Sequence, residues 1–522
     1  MTAEGNALLV RRIVVGLLTI LIACVLVFSV ALIAQGSLSG FLASPVLWFA
    51  EIETSVAFDV ISTAAELLAA VLAIAITVVA IIVELAANRY SHRITSLFVH
   101  EPINIIVMSF FVIATVDALW LALTLDDNTS GVSVALLFGM TLVSIALLIL
   151  LPYFEFVMTF LSPTNILRKI TRTALRSLAG LNERSAEREK AEFLKAIDEV
   201  QDIARRSMEQ CDRAIEMASI NSLFDLAMAY QSSINSLDIK SAKWFDVSEA
   251  VRSDPDFVSI DNDSLKKIGE ERLWVEVKIL RQYLDLVGDN HQASRDTSYL
   301  IAINTRKIAV QSVNDRPDLE LTQLCMRCFN SYLRATINQR DARTSYYIMN
   351  QYRLLAQDLM HLGEDTMVRE IAQHLQFYGL LSFNQGLPFL LEVAAEDVAE
   401  LVRACDSNHA TLLDYLLSVL LELDQKQRQE SEEESLLGVR RAQIKLAACL
   451  LARGDNERAR VICDDLKTER EDRIRQLIDA LWAEDRVEYW EFTDRGVNFA
   501  YLDPKTRSHL DAILKLVLMN AD

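Results

Sequence analysis

The chain has 522 residues, with 51 Lys or Arg against 71 Asp or Glu, a net charge of −20, and it is 52% hydrophobic. The charge is divided unevenly: residues 1–163 hold four of the basic residues (Arg11, Arg12, Arg89, Arg93) and 11 of the acidic ones, leaving 47 and 60 for the remainder. A hydrophobic front and a charged, acidic back read as a membrane domain followed by a soluble one, and exclude a general nucleic-acid-binding surface, which needs basic patches.

Four apolar segments come first. Residues 13–34 form an uncharged run of 22 residues, about 33 Å as a helix and enough to span. The run is longer than a signal-peptide core, and Leu32 stands where a cleavage site would want a small residue, so it reads as a retained anchor. Residues 35–63 carry no Lys or Arg, and Ser44-Pro45 followed by Trp48 and Phe49 suggests a short surface helix in an external loop. A re-entrant pore loop is the less favoured reading, because nothing in the stretch resembles a filter.

The second span, 64–87, carries a stripe. Glu66, Ala70, Ala73, Thr77, Ala80, Glu84 and Ala87 recur at alternating spacings of four and three, which keeps them on one helical face. Small residues admit close helix approach and acids avoid lipid, so this face is expected inside the bundle. The third span, 103–125, contains Asp117, and the fourth is 132–151, with Pro152 expected to kink the helix or mark where it leaves the hydrocarbon. Glu66, Thr77, Glu84 and Asp117 are the candidate polar pathway. The alternative places both glutamates at the headgroups and leaves Asp117 hydrogen-bonded between helices.

Orientation follows from the basic residues. Arg11/Arg12, Arg89/Arg93 and the set Arg168, Lys169, Arg172, Arg176 fall at alternate ends of the spans, and the two opposite loops have no Lys or Arg. The positive-inside rule then gives four spans with both termini cytoplasmic.

The stretch Glu84-Leu85-Ala86-Ala87-Asn88-Arg89-Tyr90-Ser91-His92-Arg93-Ile94, followed by Phe98 and another apolar run, resembles the signature of a bacterial family of predicted membrane proteins, domain of unknown function 2254. Leu85, Ala86, Tyr90, Ser91 and Arg93 fit its pattern; His92 replaces the usual proline and Glu84 the usual glutamine. The resemblance is clear over residues 55–160 and loose beyond. It implies a bacterial inner-membrane protein and carries no established activity.

Residues 162–181 are expected to form a juxtamembrane helix. Ile166, Leu167, Ile170, Ala174, Leu175 and Leu178 lie opposite Arg168, Lys169, Arg172 and Arg176, the candidate contacts to an anionic membrane surface. A plain continuation into the next domain is the equal alternative. Residues 182–522 read as a cytoplasmic, mainly helical domain. In it, 183–195 is expected as a solvated charged face, with Ile203, Met208, Ala214 and Met217 as apolar positions; Asp254-Pro255-Asp256 and Arg316-Pro317-Asp318 are expected as turns.

Leu446-Ala447, Leu450, Gly454, Ala459 and Cys463 are placed like a tetratricopeptide helix hairpin, and Leu355-Ala356, Leu359, Gly363 and Val368 echo its first half. The 91 residues between the two glycines are not a whole number of standard repeats, so the hairpins are expected to stack irregularly. Alternation of Val497, Phe499 and Tyr501 after Thr493-Asp494-Arg495-Gly496 suggests a small β-hairpin before a final helix.

No nucleotide-binding, hydrolase, zinc-peptidase or dinucleotide fingerprint is present, so no enzyme, cofactor, metal or catalytic residue is expected. The seven scattered cysteines suit a reducing compartment, and the lone Cys325-x-x-Cys328 is expected to be structural. The fold class is therefore all-α: a four-helix transmembrane bundle (1–161), a linking basic helix, and a helical domain. Two functional readings follow: a membrane-anchored interaction or regulatory protein acting on a cytoplasmic protein partner, or a homo-oligomeric ion channel or transporter along the striped span. Both involve membrane lipid and neither involves nucleic acid.

Overall fold

A computed structural model describes residues 26–27, 29–30, 33, 54–89, 95, 98–124, 132–179, 185–240, 242–288, 295–315, 319–424, 436–488, 495–496 and 498–518. The chain divides into two compact units, Met1–Lys169 and Ile170–Asp522. No strand occurs among the described residues.

The first unit holds three helices long and apolar enough to cross a membrane: α1 (Thr54–Arg89), α2 (Pro102–Thr124) and α3 (Val132–Phe160), each packed on the other two. The expected first span, 13–34, falls almost wholly outside the described residues, as does 35–53. Residues 54–63, read from sequence as loop, are the start of α1. Its buried Ala57 and Ile61 pack with Ala122 and Leu136, so the low local hydropathy around Asp59 is overridden by one well-packed face. α3 continues through Pro152 to Phe160. The helix Pro163–Ala179 (α4) follows, and the boundary between the units falls within it.

The second unit is a two-layered stack of helices. One layer runs α5 (Ala186–Glu209), α9 (Trp274–Gly288), α11 (Leu319–Asn338), α13 (Asp365–Asn384), α15 (Ala410–Leu421). The other runs α6 (Arg213–Lys240), α10 (Arg295–Asp315), α12 (Ala342–His361), α14 (Pro388–Ala404), α16 (Leu437–Arg453). Each helix packs on its neighbour in the same layer, and the short helices α7 (Glu249–Arg252) and α8 (Asn262–Glu270) are inserted between α6 and α9. Helices α17 (Asn456–Leu466), α18 (Glu471–Ala483), α19 (Pro504–Arg507) and α20 (Leu510–Leu518) close the far end.

At both places singled out by the glycine pattern there is a helix–turn–helix. Gly363 (φ +83°) and Gly454 (φ +84°) take the left-handed conformation that ends α12 and α16, which a side chain would strain. Leu355, Ala356, Leu359 and Val368, and Leu446, Ala447, Leu450, Ala459 and Cys463, are all buried.

Several local expectations differ from the structure. Residues 484–488 and 498–503 form turns and extended chain rather than strands, joined where the Asn498 backbone N–H donates to Val487 O at 3.1 Å; positions 489–494 and 497 of the expected hairpin lie outside the described residues. The side chain of Arg495, in the stretch of the expected hairpin, is 7% exposed and pairs with Asp397. In α5 the supposedly solvated stretch contains Lys190, fully buried, whose ammonium donates to the carbonyls of Lys243 (3.0 Å) and Asp246 (2.7 Å). Ile203 and Met208 are buried as expected, but Ala214 and Met217 are exposed, and Ile215, Ile220 and Leu223 point inward instead. The reason is a register break at Cys211 (φ 56°) between α5 and α6, which sequence periodicity cannot register. Residues 254–256 do form a turn; 316–318 lie outside the described residues.

Cys325 and Cys328 are buried on α11, and burial pushes the Cys328 thiol up to about 12. Nearby, Phe329 stacks on Tyr352 at 4.8 Å, and the Tyr352 hydroxyl meets His374 Nδ1 at 2.8 Å. Burial holds the His374 ring below its usual 6.5, with Glu370 opposing the shift. A depressed histidine contributes stability above 6.5 that is lost as pH falls through the lowered value. Thermal unfolding should therefore show a lower midpoint at pH 5.5 than at pH 7.5, and His374→Gln should reduce that difference. An equal difference in the variant would remove His374 from the account.

Candidate functional site

The stripe on α1 does not face the other described spans. Glu66, Ala70, Ala73, Thr77, Ala80 and Glu84 are exposed and only Ala87 is buried. The buried face is instead Ile61, Leu68, Ala75, Val79 and Val83. Large apolar side chains fill the contact with α2 and α3, and the small and acidic residues are left on a face that the described residues do not cover. Thr77 donates its hydroxyl back to Ala73 O at 2.8 Å, which satisfies it within its own helix.

Asp117 stands elsewhere. It is half-buried on α2, facing Gly139 of α3, where an added Cβ would lie 3.9 Å from Asp117 Oδ2, 3.7 Å from Ile61 Cδ1 and 2.6 Å from Leu121 Cδ2. Gly139 thus lets α3 approach beside Asp117. Ile61, which borders this spot, is five residues from Glu66, about 140° round the helix. The four candidate pathway residues therefore do not converge: Glu66, Thr77 and Glu84 share one face of α1, while Asp117 sits towards the opposite one.

Beside the Arg89 end of α1 is a cleft of about 640 Å³, whose described lining comes from α1, Thr95, Phe98, Val99 and the start of α2. Glu84 and Asn104 are its polar markers. The Asn104 Oδ1 accepts from the Tyr153 hydroxyl at 2.6 Å, which fixes the amide. Next to it, Phe98 meets Phe160 edge-on at 5.5 Å, and the Lys169 ammonium lies 4.6 Å over the Phe160 ring while pairing with Glu101. Sequence reading missed Glu101, Asn104 and Tyr153, since a pair separated by 68 or 49 residues leaves no periodic trace.

Of the candidate surface cations, Arg168 and Arg176 are exposed and Lys169 and Arg172 half-buried. Arg168 donates to Asn165 at 3.2 Å. The side chain of Arg89 and the whole of Arg93 lie outside the described residues. The apolar face of α4 (Ile166, Leu167, Ile170, Ala174, Leu178) is buried within the protein, so contact with headgroups would fall to its basic face.

In the second unit the polar chemistry is structural. Successive helices are joined by ion pairs: Arg306 to Asp358 at 2.8 Å (α10–α12), Arg353 to Asp397 at 3.2 Å (α12–α14) and Lys445 to Glu396 at 3.0 Å (α14–α16). Arg441 pairs with Glu392, and Gly438 makes room for that carboxylate, which a Cβ there would strike. These carboxylates already have cations and present no open site. Between α5 and α9, Lys278 is held by Asp198 (2.5 Å), Asp254 (2.7 Å) and Asp256 (2.5 Å).

Residues 11–236 match the family model described as predicted membrane protein (DUF2254). This is the family read from the 84–98 stretch, and the match runs further, through α4 and most of α6. No curated protein matches the chain. The chain is thus similar to a family of predicted membrane proteins over residues 11–236, and three of its described helices are long and apolar enough to cross a membrane.

Proposed function

We propose that this is a bacterial inner-membrane protein with four spans and both termini cytoplasmic, acting as an anchored interaction or regulatory protein. Its working part is the second unit, read as an irregular array of tetratricopeptide-like hairpins that binds a cytoplasmic protein partner. The observation that carries this reading is the continuous two-layered stack from α5 to α16. Such stacks form extended surfaces, and here the charged groups between helices are consumed by internal pairs rather than gathered into a reactive pocket. The reading assigns the chain no catalytic, cofactor or metal chemistry. Membrane lipid is its second partner.

The proposed orientation makes a direct prediction. A cysteine replacing Ser130 should be labelled from outside intact cells by an impermeant thiol reagent, and one replacing Ser185 should not. The reverse pattern overturns the orientation.

A homo-oligomeric channel is the second reading, favoured by the polar stripe of α1, which α2 and α3 leave exposed. Three or four helices enclose no wide pore, so several copies would have to line one with Glu66, Thr77 and Glu84. Purified protein reconstituted in liposomes decides between the two. The anchored-protein reading expects no ion flux under voltage, tension or pH steps. Flux abolished by Thr77→Trp would replace it with the channel.

A further inference from the structure

We propose that α12, α14 and α16 form a groove for an extended, arginine-bearing segment of a protein partner, and that Arg495 to Phe499 of this chain occupy it as an autoinhibitory strap. This names the site and the regulation of the partner-binding role proposed for the second unit, and rests on that reading. The strap lies between α18 and α19. It touches three successive helices of one layer. Arg495 reaches Tyr346 of α12 and Asp397 of α14, and the Phe499 carbonyl accepts from Lys445 of α16. Stacked helices present extended surfaces of this kind to their partners.

The slot that holds Arg495 is built for arginine. Both terminal nitrogens of the guanidinium donate to the two Asp397 carboxylate oxygens, Nη2 at 3.0 Å. The same group lies 4.6 Å over the Tyr346 ring. A lysine ammonium offers neither the fork nor the flat face. The slot also survives the withdrawal of its occupant. Asp397 keeps Arg353 at 3.2 Å, and the adjacent Glu396 keeps Lys445 at 3.0 Å and Arg403 at 3.7 Å. Opening therefore strands no buried carboxylate, which would otherwise oppose it. The strap itself is lightly held. Among the described residues from 484 to 503, Leu502 is the buried hydrophobic one; Val487 is exposed, and Phe499 and Tyr501 are half-buried. A segment with so little apolar burial opens at less cost than the helices beneath it unfold.

The test uses the full chain in detergent and a fluorescent peptide copying residues 493–502. On the unaltered protein the peptide competes with the strap and should bind weakly. Arg495→Ala in the protein frees the groove, and the peptide should then bind about tenfold more tightly or better, because the competent state is no longer a minor one. The same peptide carrying Arg495→Ala should not bind, and one carrying Arg495→Lys should bind about tenfold more weakly. Hydrogen exchange on the unaltered chain is the second measurement and needs no variant. The Asn498, Ala500 and Tyr501 amides donate to Val487 O, Asn498 Oδ1 and Asn498 O. They should exchange about a hundredfold faster than the amides of α14. Equal protection of strap and α14 would overturn the proposal, since the strap would then open only with the whole unit. So would a peptide that fails to bind the folded Arg495→Ala protein, or that binds it equally well without its arginine. Each of these results leaves the partner-binding reading standing, which the liposome experiment decides on its own.

Discussion

Asp397→Ala is expected to cost the second unit about 3–5 kcal/mol, the scale for breaking a buried ion pair from one side. Asp397 on α14 is fully buried. It accepts from Arg495 Nη2 at 3.0 Å and pairs with Arg353 Nε at 3.2 Å. Arg495 is itself buried, 4.6 Å over the Tyr346 ring and 3.4 Å from Tyr346 O. Guanidinium groups do not shed their protons in proteins. Removing the carboxylate therefore leaves two cations facing each other without the anion that joins them. A surface pair gives the contrast: Arg213–Asp296 has side chains 65% and 62% exposed, and Arg213→Ala should cost less than about 1 kcal/mol. Denaturant unfolding followed by circular dichroism measures both. Proteolysis should localise the first effect, with cleavage near 484–503 accelerated once Arg495 has lost its anchor. Similar small losses in both variants would mean that water reaches Asp397.

Hydropathy integrates over many residues, which made the apolar helices legible: α2 and α3 each begin within a residue of the start expected for an apolar segment. What it could not give was which face of α1 packs on α2 and α3. Small and acidic residues suggested a packed face, yet the contact is made by Ile61, Leu68, Val79 and Val83. Both faces carry a helical period, and the choice depends on shapes in α2 and α3 that one helix does not encode. Asp117 illustrates the same limit. Its residue type marks it as noteworthy in a span, but its place beside Gly139 depends on a contact between helices.

In the second unit the turn glycines were readable because a left-handed residue has a local chemical signature. The ionic links were not. Glu392 and Arg441, or Asp397 and Arg495, are 49 and 98 residues apart, and each of these residues taken singly looks like solvated surface. Lys190 is the plainest case: a lysine in a run of charges, yet enclosed and satisfied by two backbone carbonyls and Glu187.

Lys278→Met should be the other large loss, and its pH dependence should separate charge from packing. One buried ammonium faces three carboxylates, Asp198, Asp254 and Asp256, with Lys278 and Asp254 almost fully enclosed. Burial works to lower the Lys278 pKa, but the aspartates outweigh it and hold it above its usual value. Asp198 is pushed up to about 6, chiefly by burial, with Asp254 and Asp256 adding to the rise and Lys278 pulling against it. A raised carboxyl contributes stability that is present below its unfolded value near 3.8 and is lost as pH rises through about 6. In the variant the counter-cation is gone, so the Asp198 carboxyl, already raised, is driven further towards the protonated form. At pH 7.5 three aspartates are left together without their cation, and the loss should be about 3–5 kcal/mol. Towards pH 5 protonation becomes easy and the variant should recover, leaving less than about half of that loss. Asp254→Asn added to Lys278→Met should likewise recover part of it at pH 7.5, as one repelling charge is removed. A loss that is the same at pH 5 and pH 7.5 would mean that the lysine stem, packed between α5 and α9, supplies the stability and its charge does not.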